Sequence, residues 1–269
     1  MTRPRRAAFQ PMKPAITSML LLLLLQGCQG PAPEEASGNE TQDAGIEIPA
    51  IDGDLAVAYR LIEEGDFGPA RIRLRGWMDT HGEDARALFL FGLAYHSQRR
   101  YARSAEWFRR SLNATPVYPP SAHFLGWSSY YLGDVDTSIK AFGRHIEMTP
   151  GEGDSYYGLG LLALDAGDLE EAEARFNDAR RLQLDQPDRI DGVSKALVRL
   201  AELDELQGNR NAARLHLEEA VKVDPDRVEA WHRLARCCRR MGDESAAVDA
   251  EQQHAAALRR NTPRAGFPE

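Results

Sequence analysis

The sequence is poor in the groups that covalent and catalytic chemistry depend on. Its 269 residues hold 3 cysteines, too few for the disulfide framework of a small secreted scaffold. Cys237 and Cys238 are adjacent, and consecutive Cα atoms, ~3.8 Å apart, fall short of the usual disulfide range. Cys238 is therefore expected to be a small core residue, since a redox or metal pair would need further ligands nearby. The 7 histidines show no spacing of the H-E-x-x-H kind, and there is no Gly-rich phosphate loop and no G-x-S-x-G elbow. The acid pairs Glu63-Glu64 and Glu170-Glu171 lie beside expected turns and read as solvated faces. The chain is accordingly read as a non-enzyme without metal or cofactor. Long apolar runs are missing too. The run Ala15–Leu25 is about half of the roughly 20 residues that a spanning helix needs. Positive charge is also short: the net charge is -8, and residues 1–27 carry Arg3, Arg5, Arg6 and Lys13 with no acid, leaving 29 basic against 41 acidic residues in the rest. That balance argues against non-specific nucleic-acid binding, which rests on an excess of Lys and Arg.

What is present begins with a positive start running into that short apolar stretch, the pattern of a secretory signal. It ends at Leu25-Gln26-Gly27-Cys28, which resembles the bacterial lipobox. The resemblance implies that residues 1–27 are a lipoprotein signal peptide, with Met12 a second candidate start. It also implies that the Cys28 thiol receives the lipid (a diacylglycerol, with palmitate) and becomes the new N-terminus. Gln29 in the following position, by the same resemblance, favours the outer membrane of a bacterial cell envelope, facing the periplasm. Residues 28–50 are acidic, contain Pro, Gly and Ser, and lack an apolar period; they read as a flexible tether.

From there the chain repeats itself. Gly92, Gly126 and Gly160 are spaced by 34 residues, and so are Pro116 and Pro150. Six units follow, over 51–84, 85–118, 119–152, 153–193 with an insertion, 194–227 and 228–260, before a tail at 261–269. Ala58, Gly92, Gly126, Gly160, Ala201 and Ala235 make one column of small residues; Ala70, Ser104, Ser138, Ala172, Ala213 and Ala247 make another. Val57, Phe91, Leu125, Leu159, Leu200 and Leu234 are always large, as are Leu74, Phe108, Phe142, Phe176 and Leu217 further along. Small residues recur where two helices must approach, and large ones fill the space between hairpins. Gly65, Gly133, Gly167, Gly208 and Gly242, usually followed by Asp or Asn, mark the turns, and Pro116, Pro150 and Pro225 stop the second helices.

These columns resemble the tetratricopeptide repeat (TPR), a helix–turn–helix unit of about 34 residues. The resemblance implies an all-α fold, an α-solenoid forming a right-handed superhelix of about six units. In unit four the terminal proline is replaced by Leu184, and seven residues are inserted. Either the next helix is extended back to Pro187, or Asp185–Gly192 is a loop. In the family the first helices build a concave wall. By that placement Phe89, Leu93, His123, Trp127, Tyr130, Tyr131, Tyr157 and Leu161 form an aromatic stripe for a partner, and Arg233, Arg236 and Arg240 a basic one. The Lys and Asn pair with which chaperone-binding members clamp a C-terminal carboxylate is absent. The expectation is an adaptor or scaffold of the cell envelope that binds a protein or peptide on its concave face. A self-associating homo-oligomer, or an accessory subunit of an envelope enzyme or of secretion or pilus assembly, are the rival readings.

Overall fold

The computed structural model describes residues 50–184 and 189–261. The expected signal peptide, Cys28, nearly all of the tether, Pro187 and the tail from residue 262 lie outside the described residues. Those described form twelve helices paired as six hairpins, with no strand among them. Hairpin 1 is α1 (Gly53–Glu64) with α2 (Phe67–His81), and hairpin 2 is α3 (Ala85–Ser97) with α4 (Tyr101–Asn113). Hairpin 3 joins α5 (Pro120–Leu132) to α6 (Val135–Met148), and hairpin 4 joins α7 (Gly153–Ala166) to α8 (Leu169–Leu184). Hairpin 5 is α9 (Ile190–Gln207) with α10 (Arg210–Val223); hairpin 6 is α11 (Val228–Arg240) with α12 (Glu244–Asn261). The chain divides into two compact units at Ser121/Ala122. The first holds hairpins 1 and 2, and the second holds the rest of α5 and hairpins 4 to 6 with α6.

Each hairpin closes by the same chemistry. The glycine after the first helix takes positive φ, from +76° at Gly133 to +87° at Gly65, which costs glycine nothing. In hairpins 3, 4 and 6 the Asp behind it also caps the second helix: Asp134, Asp168 and Asp243 accept N–H bonds from Thr137, Glu171 and Ala246 at 3.2, 3.1 and 3.1 Å, whereas Asp66 and Asn209 make no such side-chain bond. Such caps contribute about 1 kcal/mol each. Hairpin 2 departs from this scheme. Arg99 stands at the left-handed position with φ 58°, and Arg100 caps nothing with its side chain. The backbone turn is nevertheless unchanged, with Arg99 N–H donating to His96 O and Arg100 N–H to Tyr95 O. A left-handed non-glycine residue costs on the order of 1 kcal/mol.

The core is built from the small and large columns. All six residues of the second small column, from Ala70 to Ala247, are buried, and Leu74, Phe108, Phe142, Phe176 and Leu217 are 0 % exposed. Phe108 lies against Gly92, Phe142 against Gly126 and Phe176 against Gly160, so closely that an added Cβ would sit 2.4–2.6 Å from the ring. Phe142 also fills against Gly158 of the next hairpin. Each such ring contributes roughly 2–3 kcal/mol by leaving water. Val57 of the large column is an exception and is exposed.

At the insertion the helix wins as far as Ile190, so Ile190–Gly192 continue α9 backwards as its first turn. The extension is held by side chains. Arg189, 6 % exposed, pairs with Glu152 at 2.9 Å and with Asp154, which also accepts Gln183 Nε2 at 2.7 Å. Gly192 packs so tightly on Gln183 that a Cβ would meet its amide. No described helix is long and apolar enough to cross a membrane.

Candidate functional site

In the second unit the first helices α5, α7, α9 and α11 follow one another, and the sequence places most of the expected partner-binding residues on them. The aromatic part centres on Trp127. Its indole Nε1–H donates to His123 Nε2 at 3.1 Å, while His123 Nδ1 meets Ser155 Oγ at 2.9 Å and Ser155 Oγ meets His145 Nδ1 at 3.0 Å. The Trp127 ring crosses Phe142 edge-on at 5.4 Å, stacks on Tyr131 at 6.1 Å and approaches Tyr157 at 6.4 Å. His123, Trp127, Tyr157 and Leu161 are buried, whereas Tyr130 and Tyr131 are half-buried. Of these six, only Tyr130 and Tyr131 are partly open, both resting on Trp127. Tyr130 Oη–H donates to Asp165 at 3.1 Å; burial, reinforced by Asp165, raises its pKa well above the ordinary phenol value.

Phe89 and Leu93 are placed differently. Both are 0 % exposed in the core of the first unit, Phe89 with its ring 5.0 Å from Tyr118 and 5.7 Å from Phe108. They present nothing to a partner, because Tyr118 folds over the position that the family pattern leaves open.

The polar line beneath Trp127 is sensitive to protons. His145 is 1 % exposed, and burial, helped by His123, pushes its pKa down to about 3. In the unfolded chain an imidazole titrates near pH 6.5, so acid protonates the unfolded state first. The stability that His145 contributes is complete above about pH 6.5 and is lost as pH falls toward its folded value. By pH 5 the loss is about 2 kcal/mol. Urea midpoints at pH 7 and pH 5 are expected to show this component, and His145→Gln should remove it; an unchanged pH dependence in that variant overturns the assignment.

The basic stripe is not bare. Arg233, with 15 % of its side chain exposed, binds Glu202 at 3.0 Å, Glu229 at 3.4 Å and Glu205 at 3.5 Å. Arg236 reaches Glu205 at 3.0 Å and Arg240 reaches it at 4.0 Å. Arg199 of α9 joins the same group through Glu202 at 2.5 Å and Glu229 at 2.9 Å. Burial works against the Arg199 charge, but Tyr157, Glu229 and Glu202 outweigh it and hold its pKa above the ordinary value. Its Nε–H also points at Tyr157 Oη, 3.4 Å away. The aromatic and charged parts thus meet at Tyr157, as four arginines laced by three glutamates. Only Arg236 and Arg240 are substantially open, at 44 % and 56 %. Sequence reasoning missed Glu202, Glu205 and Glu229. Glu202 and Glu205 occupy first-helix columns of unit five that match those inspected for the arginines in unit six, so reading α9 and α11 side by side would have found them.

Among the described residues no group of three His, Cys, Asp or Glu is placed to hold a metal ion. Cys237 and Cys238 are both buried, at 2 % and 1 % exposure; burial raises both thiol pKa values, which keeps them protonated and unreactive.

The family model of the tetratricopeptide repeat matches residues 56–119, 125–187 and 194–237. The chain belongs to the tetratricopeptide repeat family. Cellulose synthase operon protein C of Komagataeibacter xylinus is 26% identical over an alignment 207 residues long that covers 66% of this TPR chain and 15% of that protein. The chain therefore spans a small part of that relative's length. Among solved structures, Pseudomonas aeruginosa pilF superposes with a TM-score of 0.64 at 15% identity, covering 78% of this chain and 91% of that one. The Cut9-Hcn1 hetero-tetramer of the APC/C gives 0.60 at 19% identity, covering 77% and 40%. At such identities the likeness is one of fold alone, that of a TPR solenoid.

Proposed function

We propose that this TPR protein is a non-enzymatic adaptor of the bacterial cell envelope, tethered by a lipid on Cys28, that holds a protein segment on the first-helix face of its second unit. One observation carries the binding part: Tyr130 and Tyr131 stand half-open on a rigid base of Trp127, Phe142 and Tyr157. Aromatic residues that are already immobilised lose little freedom when a partner covers them, and such anchors concentrate binding energy. On α11, Arg236 and Arg240 offer charge that one carboxylate, Glu205, shares with Arg233. The envelope location is supported by the lipobox-like Leu25–Cys28 and by the resemblance to pilF and to a cellulose synthase operon protein.

The experiment compares partner capture from cross-linked cells by the parent and by Tyr130→Ser with Tyr131→Ser. The double variant is expected to lose capture more than tenfold with unchanged helical content and a modestly lower melting temperature, since both rings only edge the core. Retention of every partner at full yield overturns the assignment of this face. A palmitate analogue supplied to the same cells should label the parent and not Cys28→Ala; a parent that stays unlabelled overturns the tether alone.

A further inference from the structure

The tip of hairpin 2 lacks, within two residues, the left-handed glycine that the other five hairpins have and the capping Asp that three of them use. Where they have Gly65-Asp66, Gly133-Asp134, Gly167-Asp168, Gly208-Asn209 and Gly242-Asp243, it has Arg99-Arg100. The backbone bonds of the turn are retained, so the exchange gives up an unstrained left-handed residue and a helix cap without reshaping the chain. Nothing is gained in packing, because Arg99, Arg100 and Arg103 are all exposed. Sites where local preference is overridden with no structural return are where function is to be sought.

The surroundings specify the chemistry. Arg71 and Arg103 both lie over the Tyr95 ring, their guanidinium carbons 5.1 and 5.8 Å from its centre, and the Tyr95 carbonyl receives the Arg100 N–H. Two guanidinium groups are therefore steadied by cation–π contact on one tyrosine, and the exposed Arg99 and Arg100 stand in the turn that closes on the Tyr95 and His96 carbonyls. None has a carboxylate within 4 Å among the described residues, in contrast to Arg233, Arg199 and Arg189, which the chain neutralises from its own acids. Arginines left clear of every described carboxylate are available to an anion from outside. The guanidinium fork matches phosphate oxygens in pairs. Placed at a hairpin tip, the group can meet a flat surface but cannot enclose a peptide. The chain's net charge of -8 makes a long nucleic-acid track a poor fit.

We propose that Arg71, Arg99, Arg100 and Arg103 form a contact patch for the headgroup phosphates of an anionic lipid bilayer. The patch acts whether or not Cys28 carries a lipid, and its test is arranged to keep the two apart. The Cys28→Ala chain is sedimented with vesicles of phosphatidylcholine, and with vesicles to which phosphatidylglycerol has been added. It is expected to bind the second kind alone, and less as salt rises. Restoring the common turn, with Arg99→Gly, Arg100→Asp and Arg103→Gln, should weaken this binding about a hundredfold, at roughly fivefold for each arginine near the surface. The same variant should melt at the same temperature as its parent or higher, because strain is relieved and a cap is gained. A loss of fold therefore cannot imitate a loss of binding. Equal binding by variant and parent overturns the proposal. So does displacement by inorganic phosphate beyond that by chloride of equal ionic strength, which would mark a small-anion site. Binding of a polyglutamate peptide with no binding to anionic vesicles also overturns it, in favour of an acidic protein partner.

Discussion

Gly126→Leu is expected to lower the stability of the second unit by roughly 3 kcal/mol or more. A Cβ at Gly126 would lie 2.5 Å from Phe142 Cδ1, and the ring has little room to withdraw, because its other edge packs so closely on Gly158 that a Cβ built there would also lie 2.5 Å from it. A leucine adds three further carbons to that overlap, so α5 and α6 must separate for it to enter. Gly208→Ala is the control. Its Cβ would meet nothing within 4 Å, and its φ of +82° leaves only backbone strain, worth about 1 kcal/mol. Thermal melts should rank Gly126→Leu well below Gly208→Ala and both below the parent. The reverse order would contradict the register of the 34-residue repeat.

The second large effect concerns charge. Arg233→Ala leaves Glu202, Glu205 and Glu229 facing one another with a principal counter-ion gone, at a site where Arg233 itself was only 15 % exposed. Removing one member of such a buried network is destabilising by about 3–5 kcal/mol. Arg239, on the same helix, pairs with Glu251 at 2.7 Å, but both side chains are about half exposed, and exposed pairs contribute little. Arg239→Ala should leave the melting temperature unchanged. Equal effects from the two variants would mean that the group around Glu205 is solvated, and with it the reason for calling that stripe neutralised.

The hairpins themselves were legible because the small columns encode a contact within each repeat: Gly126 needs Phe142, and the two sit sixteen residues apart at every recurrence. The binding face was legible only in part. Phe89 and Tyr131 look alike as aromatic side chains on first helices, yet Tyr118, from the connection between hairpins 2 and 3, covers one while the other stays half-buried. Connections do not follow the repeat, so column logic cannot foresee them. The arginines at 233, 236 and 240 followed helical spacing correctly, but their sign was cancelled by glutamates lying thirty-one residues back in the cases of Glu202 and Glu205. Charge is set by neighbours in space, and a one-helix pattern carries no record of them. The strained Arg99 left a trace in the sequence, a missing glycine in one turn of six, which only the φ angle made meaningful.

Phe142 has a mechanical consequence. Held between Gly126 and Gly158, it is a rivet joining hairpin 3 to hairpin 4, whereas the Leu217 and Ala201 columns of hairpin 5 have no ring shared in that way. Drawn out by its C-terminal end, the chain would give up hairpin 6 first, releasing about 34 residues, or roughly 115 Å of contour at full extension. Hairpins 5, 4 and 3, which share one core from Trp127 to Leu203, would then yield together, in a single longer step at higher force, so a sawtooth trace would contain one tooth of triple length.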